Sequence, residues 1–195
     1  MNLPPVTLGV IIACVAAFLA QQSAGQVIEM QFALWPFGPF FHAWQLVTYF
    51  FLHGGVQHIM FNMLGLAMFG SDLERAWGPR RYITLLLVST VAGALTQQAV
   101  TYASAQVFPT VGASGGIYGL LLAFAFTFPN RIVTPLFPPI PMRARTFAAI
   151  FGGIELFSGI TGTQSGIAHF AHLGGMLGSL ILLLFWRLRA ITNRT

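Results

Sequence analysis

The sequence predicts an all-α membrane protein, one domain over residues 1–195, built as a bundle of six transmembrane helices with a short central fourth helix. Three observations predict it. The 195 residues are 56% hydrophobic and 7% charged, whereas a water-facing domain carries about a quarter charged residues. Six apolar stretches stand out, at roughly 7–20, 55–70, 82–102, 114–128, 146–160 and 166–186. All nine basic residues are arginines, and in a six-span arrangement every one falls on the same side of the membrane. Arg75, Arg80 and Arg81 follow the second stretch, Arg131, Arg143 and Arg145 lie between the fourth and fifth, and Arg187, Arg189 and Arg194 follow the sixth. Positive charge marks the cytoplasmic side, so both termini are expected inside. The net charge of +5 and pI near 10.4 reflect these loops; no basic stripe is present that would grip nucleic acid.

Taken in order, the first stretch lacks a charged leader and a small-residue cleavage pattern, so it reads as a retained helix. Cys14 within it is the only cysteine and cannot form an internal disulfide. The segment 30–44 is aromatic and broken by Pro36 and Pro39. Aromatic side chains concentrate at membrane interfaces, so this loop is expected to lie partly in the outer leaflet. The second and third stretches read as spans, the second with His58 and Asn62 near its outer start. The fourth begins at Ser114 and stops by Pro129. Fifteen residues make about 22 Å of helix, short of a hydrocarbon core of about 30 Å. Ser114 then lies roughly 8 Å below the outer surface. Non-helical backbone at that depth is tolerated only where it is buried in protein or lines a wet cavity. A cavity open to the outside, with a serine at its floor, is therefore expected. In the sixth stretch His172 lies about 9 Å deep by the same arithmetic, level with Ser114.

Gly112-Ala113-Ser114-Gly115-Gly116 formally matches G-x-S-x-G, but the strand–turn–helix context of a soluble hydrolase is missing. Taken alone, such small residues entering a membrane helix are most often a packing surface for neighbouring helices. What adds weight is depth: Ser114, His172, His58 and Asn62 are polar groups at one level, and intramembrane polar groups mark functional sites. Gly115 and Gly119, with Gly175 and Ser179 facing them, would let two helix backbones approach closely. Ser114 and His172 could then reach hydrogen-bond distance, and Tyr118, one turn after Ser114, could pack on the imidazole. Of the four acidic residues, Asp72 and Glu74 lie at the cytoplasmic end, Glu29 in the aromatic loop and Glu155 within the fifth span. Glu155 could face the cavity but reads rather as a neutral or hydrogen-bonded packing residue near a helix end, which makes a Ser–His dyad the economical reading. Asn62, His58 and the backbone N–H of Ser114 are the candidate oxyanion donors.

These residues resemble those of the rhomboid family. Gly112-Ala113-Ser114-Gly115 is similar to its G-x-S-G serine motif, Ala171-His172-Leu173-Gly174-Gly175 to its A-H-x-x-G histidine motif, and His53, His58 and Asn62 to its H-x-x-x-x-H-x-x-x-N motif. Tyr118 matches the tyrosine that stacks on the histidine, and Phe69, Gly70, Leu73 and Glu74 resemble the segment that closes the second helix. The resemblance implies a rhomboid-like bundle in the inner membrane of a bacterium, a cofactor-free and metal-free serine endopeptidase, and single-span transmembrane proteins as substrates, cut near the outer end of their helix. It also implies a fifth helix that acts as a lateral gate. Two departures are visible. Many bacterial members carry Trp-Arg in the first loop where this chain has Trp44-Gln45, which bears on how the loop is anchored. Ser179 stands where a glycine is usual. His169, one turn before His172, is a rival base without the following glycine spacing. The other classes considered are a non-catalytic rhomboid-like protein that binds membrane clients, a transporter, and a metalloprotease using His53, His58, His169 and His172.

Overall fold

The computed structural model describes residues 2–104, 108–136, 138–163 and 168–192, and 76% of the described residues are helical. Helix α1, Pro5–Phe32, opens with a proline at its first position, where a missing N–H costs nothing. Its next orphan donors are satisfied from a distance. The N–H groups of Val6 and Thr7 donate to the Glu74 carboxylate at 3.0 and 2.7 Å, and the Thr7 hydroxyl adds a third bond at 2.8 Å. The helix runs well past the predicted end at residue 20, through Gln21, Gln22 and Ser23, with one break in helical dihedrals at Ala24. Polarity ends a hydrophobic stretch but does not end a helix, and residues 30–32 of the expected loop belong to α1.

The rest of the aromatic segment is ordered by two buried glutamines. Gln45, at the start of the short α2, Gln45–Thr48, accepts from the N–H groups of Trp35 and His42 and donates to the Phe40 carbonyl. Gln98 accepts from Phe37 N–H and donates to Trp35 O at 2.7 Å. Gln45 thus anchors the loop by its side-chain amide, both accepting and donating.

After a 3₁₀ turn at Tyr49–Phe51, α3 (Val56–Gly65), a π-helical turn (Leu66–Gly70) and α4 (Ser71–Trp77) follow one another without a break. The rod therefore extends seven residues past the predicted end at 70. Asp72 pairs outward with Arg75 and Arg131, at 3.2 and 3.1 Å, while Glu74 is buried on α1, so neither acid interrupts it. Gly78, with φ of 78°, ends the rod and Pro79 opens α5, Pro79–Ser104. Then come α6, Ser114–Thr127, a two-residue antiparallel ladder of β1 (Ile132–Val133) with β2 (Met142–Arg143), α7, Ala144–Thr161, and α8, His169–Thr192. The predicted start of the last span near 166, and Arg194, lie outside the described residues.

Pro5–Phe32, Pro79–Ser104 and His169–Arg189 are long and apolar enough to cross a membrane, and Ser114–Thr127 is a shorter apolar helix. Large apolar side chains such as Leu19, Phe157 and Ile181 are about 60% exposed (63%, 65% and 59%), a surface suited to lipid rather than water. Helices α5, α6 and α8 approach at backbone distance. A Cβ on Gly175 would collide with the Gly115 carbonyl, one on Gly119 with Ser89, and one on Gly93 would lie 2.7 Å from Ala171 O. Several charged residues cluster at the end of α4 and the start of α5. Arg75, Asp72 and Arg131 form one group, and Arg81 lies over the Trp186 ring, which itself meets Trp77 edge-on. Ser114, at the first turn of α6, belongs to the opposite end.

Candidate active site

The loop entering α6 is held extended by a bridge between Thr110 and Leu34, with N–H···O distances of 2.9 and 3.0 Å, and by Gly112 N–H donating to Tyr49 O at 2.9 Å. Gly112 has φ of 126°, a conformation L side chains rarely adopt. A Cβ there would lie 2.6 Å from His58 Nε2. Glycine is thus required twice, by the dihedral and by the histidine packed on the bare backbone. The chain then turns into α6 with Ser114 as its first residue, whose N–H is one of the orphan donors of a helix start.

The predicted pairing is present. His172 Nε2 lies 2.7 Å from Ser114 Oγ across the α6–α8 contact. The rings of Tyr118 and His172 are stacked, with centroids 4.4 Å apart and planes 7° from parallel. His172 is 7% exposed. Both groups open into a cavity of about 790 Å³ whose wall includes His58, Asn62, Ser114, Tyr118 and His172. A second groove of about 640 Å³, between α6, α7 and α8, is lined almost wholly by apolar side chains and contains none of these groups.

His58 Nδ1 accepts from Gly54 N–H at 3.3 Å, so the proton of its neutral ring sits on Nε2, beside Gly112 and ready to donate. Asn62, 5% exposed, gives one amide hydrogen to the His58 carbonyl at 3.0 Å. His53, in the turn ahead of α3, meets the His58 ring edge-on at 5.2 Å. Burial and the neighbouring His58 hold its imidazole down at about 4, so it is neutral at ordinary pH.

Glu155 departs from the sequence reading. It is hydrogen-bonded, as a packing residue would be, but its partners are those of the site: Oε2 is 2.9 Å from His172 Nδ1 and 2.6 Å from His169 Nδ1. Tyr118 Oη donates to Oε1. The expectation that no acid stands near the pair is therefore corrected. An ionisable residue in an apolar helix was the signal for it; which face of α7 it occupies could not be read. His169 turns toward Glu155 and bonds Thr163 O with its other nitrogen, at 3.1 Å, and makes no bond to Ser114. Glu155, His169 and His172 each offer one ligand atom within 4.8 Å of the others, but those atoms are engaged with one another.

Chemically, a hydroxyl bonded to an imidazole, beside a helix start and two side-chain donors in a shared cavity, can carry out nucleophilic attack on a carbonyl. Comparison with known proteins identifies the family. The family model described as the Rhomboid domain matches residues 40–189. The chain is similar to the Rhomboid protease GlpG of Yersinia pestis (strain Pestoides F), with 26% identity over 187 residues, covering 95% of this chain and 63% of that protein. It is also similar to the Rhomboid protease GlpG of Salmonella choleraesuis (strain SC-B67), with 34% identity over 96 residues, covering 48% of this chain and 35% of that protein. The chain thus spans less than two thirds of the length of the curated relatives it matches.

Proposed function

The chain belongs to the rhomboid family, an assignment that makes it an integral membrane protein, and on that premise we propose that it is an intramembrane serine endopeptidase. The carrying observation is the 2.7 Å contact between His172 Nε2 and Ser114 Oγ at the wall of a cavity that also presents His58 and Asn62. In the proposed reaction His172 takes the Ser114 proton as Oγ attacks the scissile carbonyl. The oxyanion that forms is met by the Ser114 N–H, by His58 Nε2–H and by Asn62. As the acyl-enzyme forms, the C–N bond breaks and the proton passes from Nε2 to the leaving amine; water then repeats the sequence and releases Ser114. Tyr118 keeps the imidazole in plane by stacking, and Gly112, Gly115 and Gly175 allow the backbones to come close enough.

The reading extends to topology. Six spans over a single unit of residues 1–195 are proposed, with α6 as the short fourth span. Both termini and the arginine end face the cytoplasm of a bacterial cell, and the cavity opens outward. That orientation is supported by the pairing of Asp72 with Arg75 and Arg131 at the end opposite Ser114. Substrates are single-span membrane proteins entering from the bilayer. The test is a fluorophosphonate probe together with a transmembrane reporter substrate in liposomes. Wild type is labelled and cleaves; Ser114→Ala is unlabelled and inactive while still inserted, and His172→Ala loses cleavage. An unlabelled wild-type chain that binds the reporter intact would mean a client-binding protein instead.

A further inference from the structure

We propose that Glu155 is a positioning residue for this reaction: its carboxylate, carried on α7, holds the His172 imidazole in the tautomer that presents the Nε2 lone pair to Ser114, and His169 secures that carboxylate from the other side. The inference rests on the protease reading above and adds a third partner to its serine and histidine.

Proton accounting leads to it. For His172 Nε2 to accept from Ser114 Oγ–H, the proton of the neutral ring must sit on Nδ1. Nδ1 is buried, and among the described residues no well-aligned hydrogen-bond partner reaches it. The Glu155 oxygen 2.9 Å away is an acceptor in contact with it. A buried donor without an acceptor is costly, so the carboxylate selects the tautomer that leaves the Nε2 lone pair free. When Ser114 gives up its proton, the resulting imidazolium charge forms within 2.9 Å of Glu155.

Glu155 itself is held from three directions. Tyr118 Oη on α6 donates to Oε1. On α8, His169 Nε2 faces the Thr163 carbonyl, which can only accept, so that nitrogen carries a proton. One further proton then lies between His169 Nδ1 and Oε2, 2.6 Å apart. The same Oε2 is shared with His172, which places the acid at the meeting point of α6, α7 and α8. Glu155 is 6% exposed, so water does not substitute for it.

A purely structural latch makes the opposite forecast. If Glu155 only fastened α7 to its neighbours, breaking it would loosen the helix, widen access to the cavity and leave or raise turnover. A positioning role lowers kcat and leaves KM in place. Glu155→Gln, nearly isosteric and uncharged, is compared with wild type for reporter cleavage in liposomes and for the rate of fluorophosphonate labelling. Expected is a fall in kcat and labelling of about 10–10³-fold with KM within about twofold, smaller than the ~10⁴ that follows loss of the acid in a soluble triad because Tyr118 still stacks. Glu155→Asp, which keeps the charge, recovers part of the loss. Turnover of Glu155→Gln equal to or above wild type overturns the proposal. Should Glu155→Gln fail to fold, ¹⁵N-histidine NMR of the wild-type protein decides: a deshielded Nδ1–H on His172 supports the assignment, and an Nε2–H tautomer overturns it. Failure of the protease reading looks different, because wild type would then be unlabelled, like Ser114→Ala.

Discussion

Two regions of the molecule hold the candidate site together by different means. Between α5, α6 and α8 the helices touch backbone to backbone. A Cβ on Gly174 would run into Thr96, one on Gly178 into Ala92, and one on Gly175 into the Gly115 carbonyl. Helix α7 has no such seam. Nothing lies within 4 Å of a Cβ placed on Gly153, the nearest atom to one on Gly152 is the end of Met176 at 3.3 Å, and Phe157 and Ile160 are 65% and 71% exposed. Beyond its first turn, what fastens α7 is side chains: Glu155 to Tyr118, His169 and His172, and Phe147 against Phe69. Backbone contact through small residues fixes distance tightly, because a van der Waals wall rises steeply on either side of the optimum. Side-chain contacts can break and remake. The serine and the histidine sit on the rigid pair, whereas the acid is delivered by the loosely attached helix, so the geometry of nucleophile and base is independent of α7 while the orientation of the base is not.

The contrast can be broken most severely from the rigid side. Gly175→Leu drives α8 away from Gly115 and separates His172 from Ser114. We expect loss of labelling and cleavage together with a destabilisation of more than about 3 kcal/mol, read by thermal denaturation in detergent; near-normal labelling would mean that the seam does not set the pair's distance. Next in size is Tyr118→Phe, which keeps the stacked ring and removes only the bond from α6 to Glu155. Turnover is expected to fall about three- to tenfold with inserted protein unchanged, and an unaltered kcat would show that the carboxylate does not need this donor. Smallest is Gly153→Ala on α7, where open space and helical backbone predict a gain of about 0.5–1 kcal/mol and unchanged cleavage. A loss there would show that α7 is packed as closely as α8.

Much of this was legible in the sequence, and the misses share a cause. The contact between Ser114 and His172 was readable because both lie at one depth on helices whose small residues invite close approach, and depth is counted along the chain. The end of α3–α4 was misjudged because Asp72 and Glu74 look like a membrane boundary, whereas one pairs with arginines and the other caps α1. The anchoring of the aromatic loop depended on Gln45 and Gln98, more than fifty residues apart and meeting only in the fold.

By itself the sequence determined that much of the surface faces lipid, where most of the apolar helices begin, and which serine, tyrosine and histidine share a level. These follow from composition and from rise per residue, both properties of one helix at a time. Only the tertiary structure decided that Glu155 faces His172, that His169 backs the acid rather than rivaling the base, and that Gln45 and Gln98 together hold the aromatic loop. Each of those depends on the rotation of one helix about its own axis relative to another. That rotation is set by the sum of contacts across the bundle and leaves no periodic trace in the order of residues.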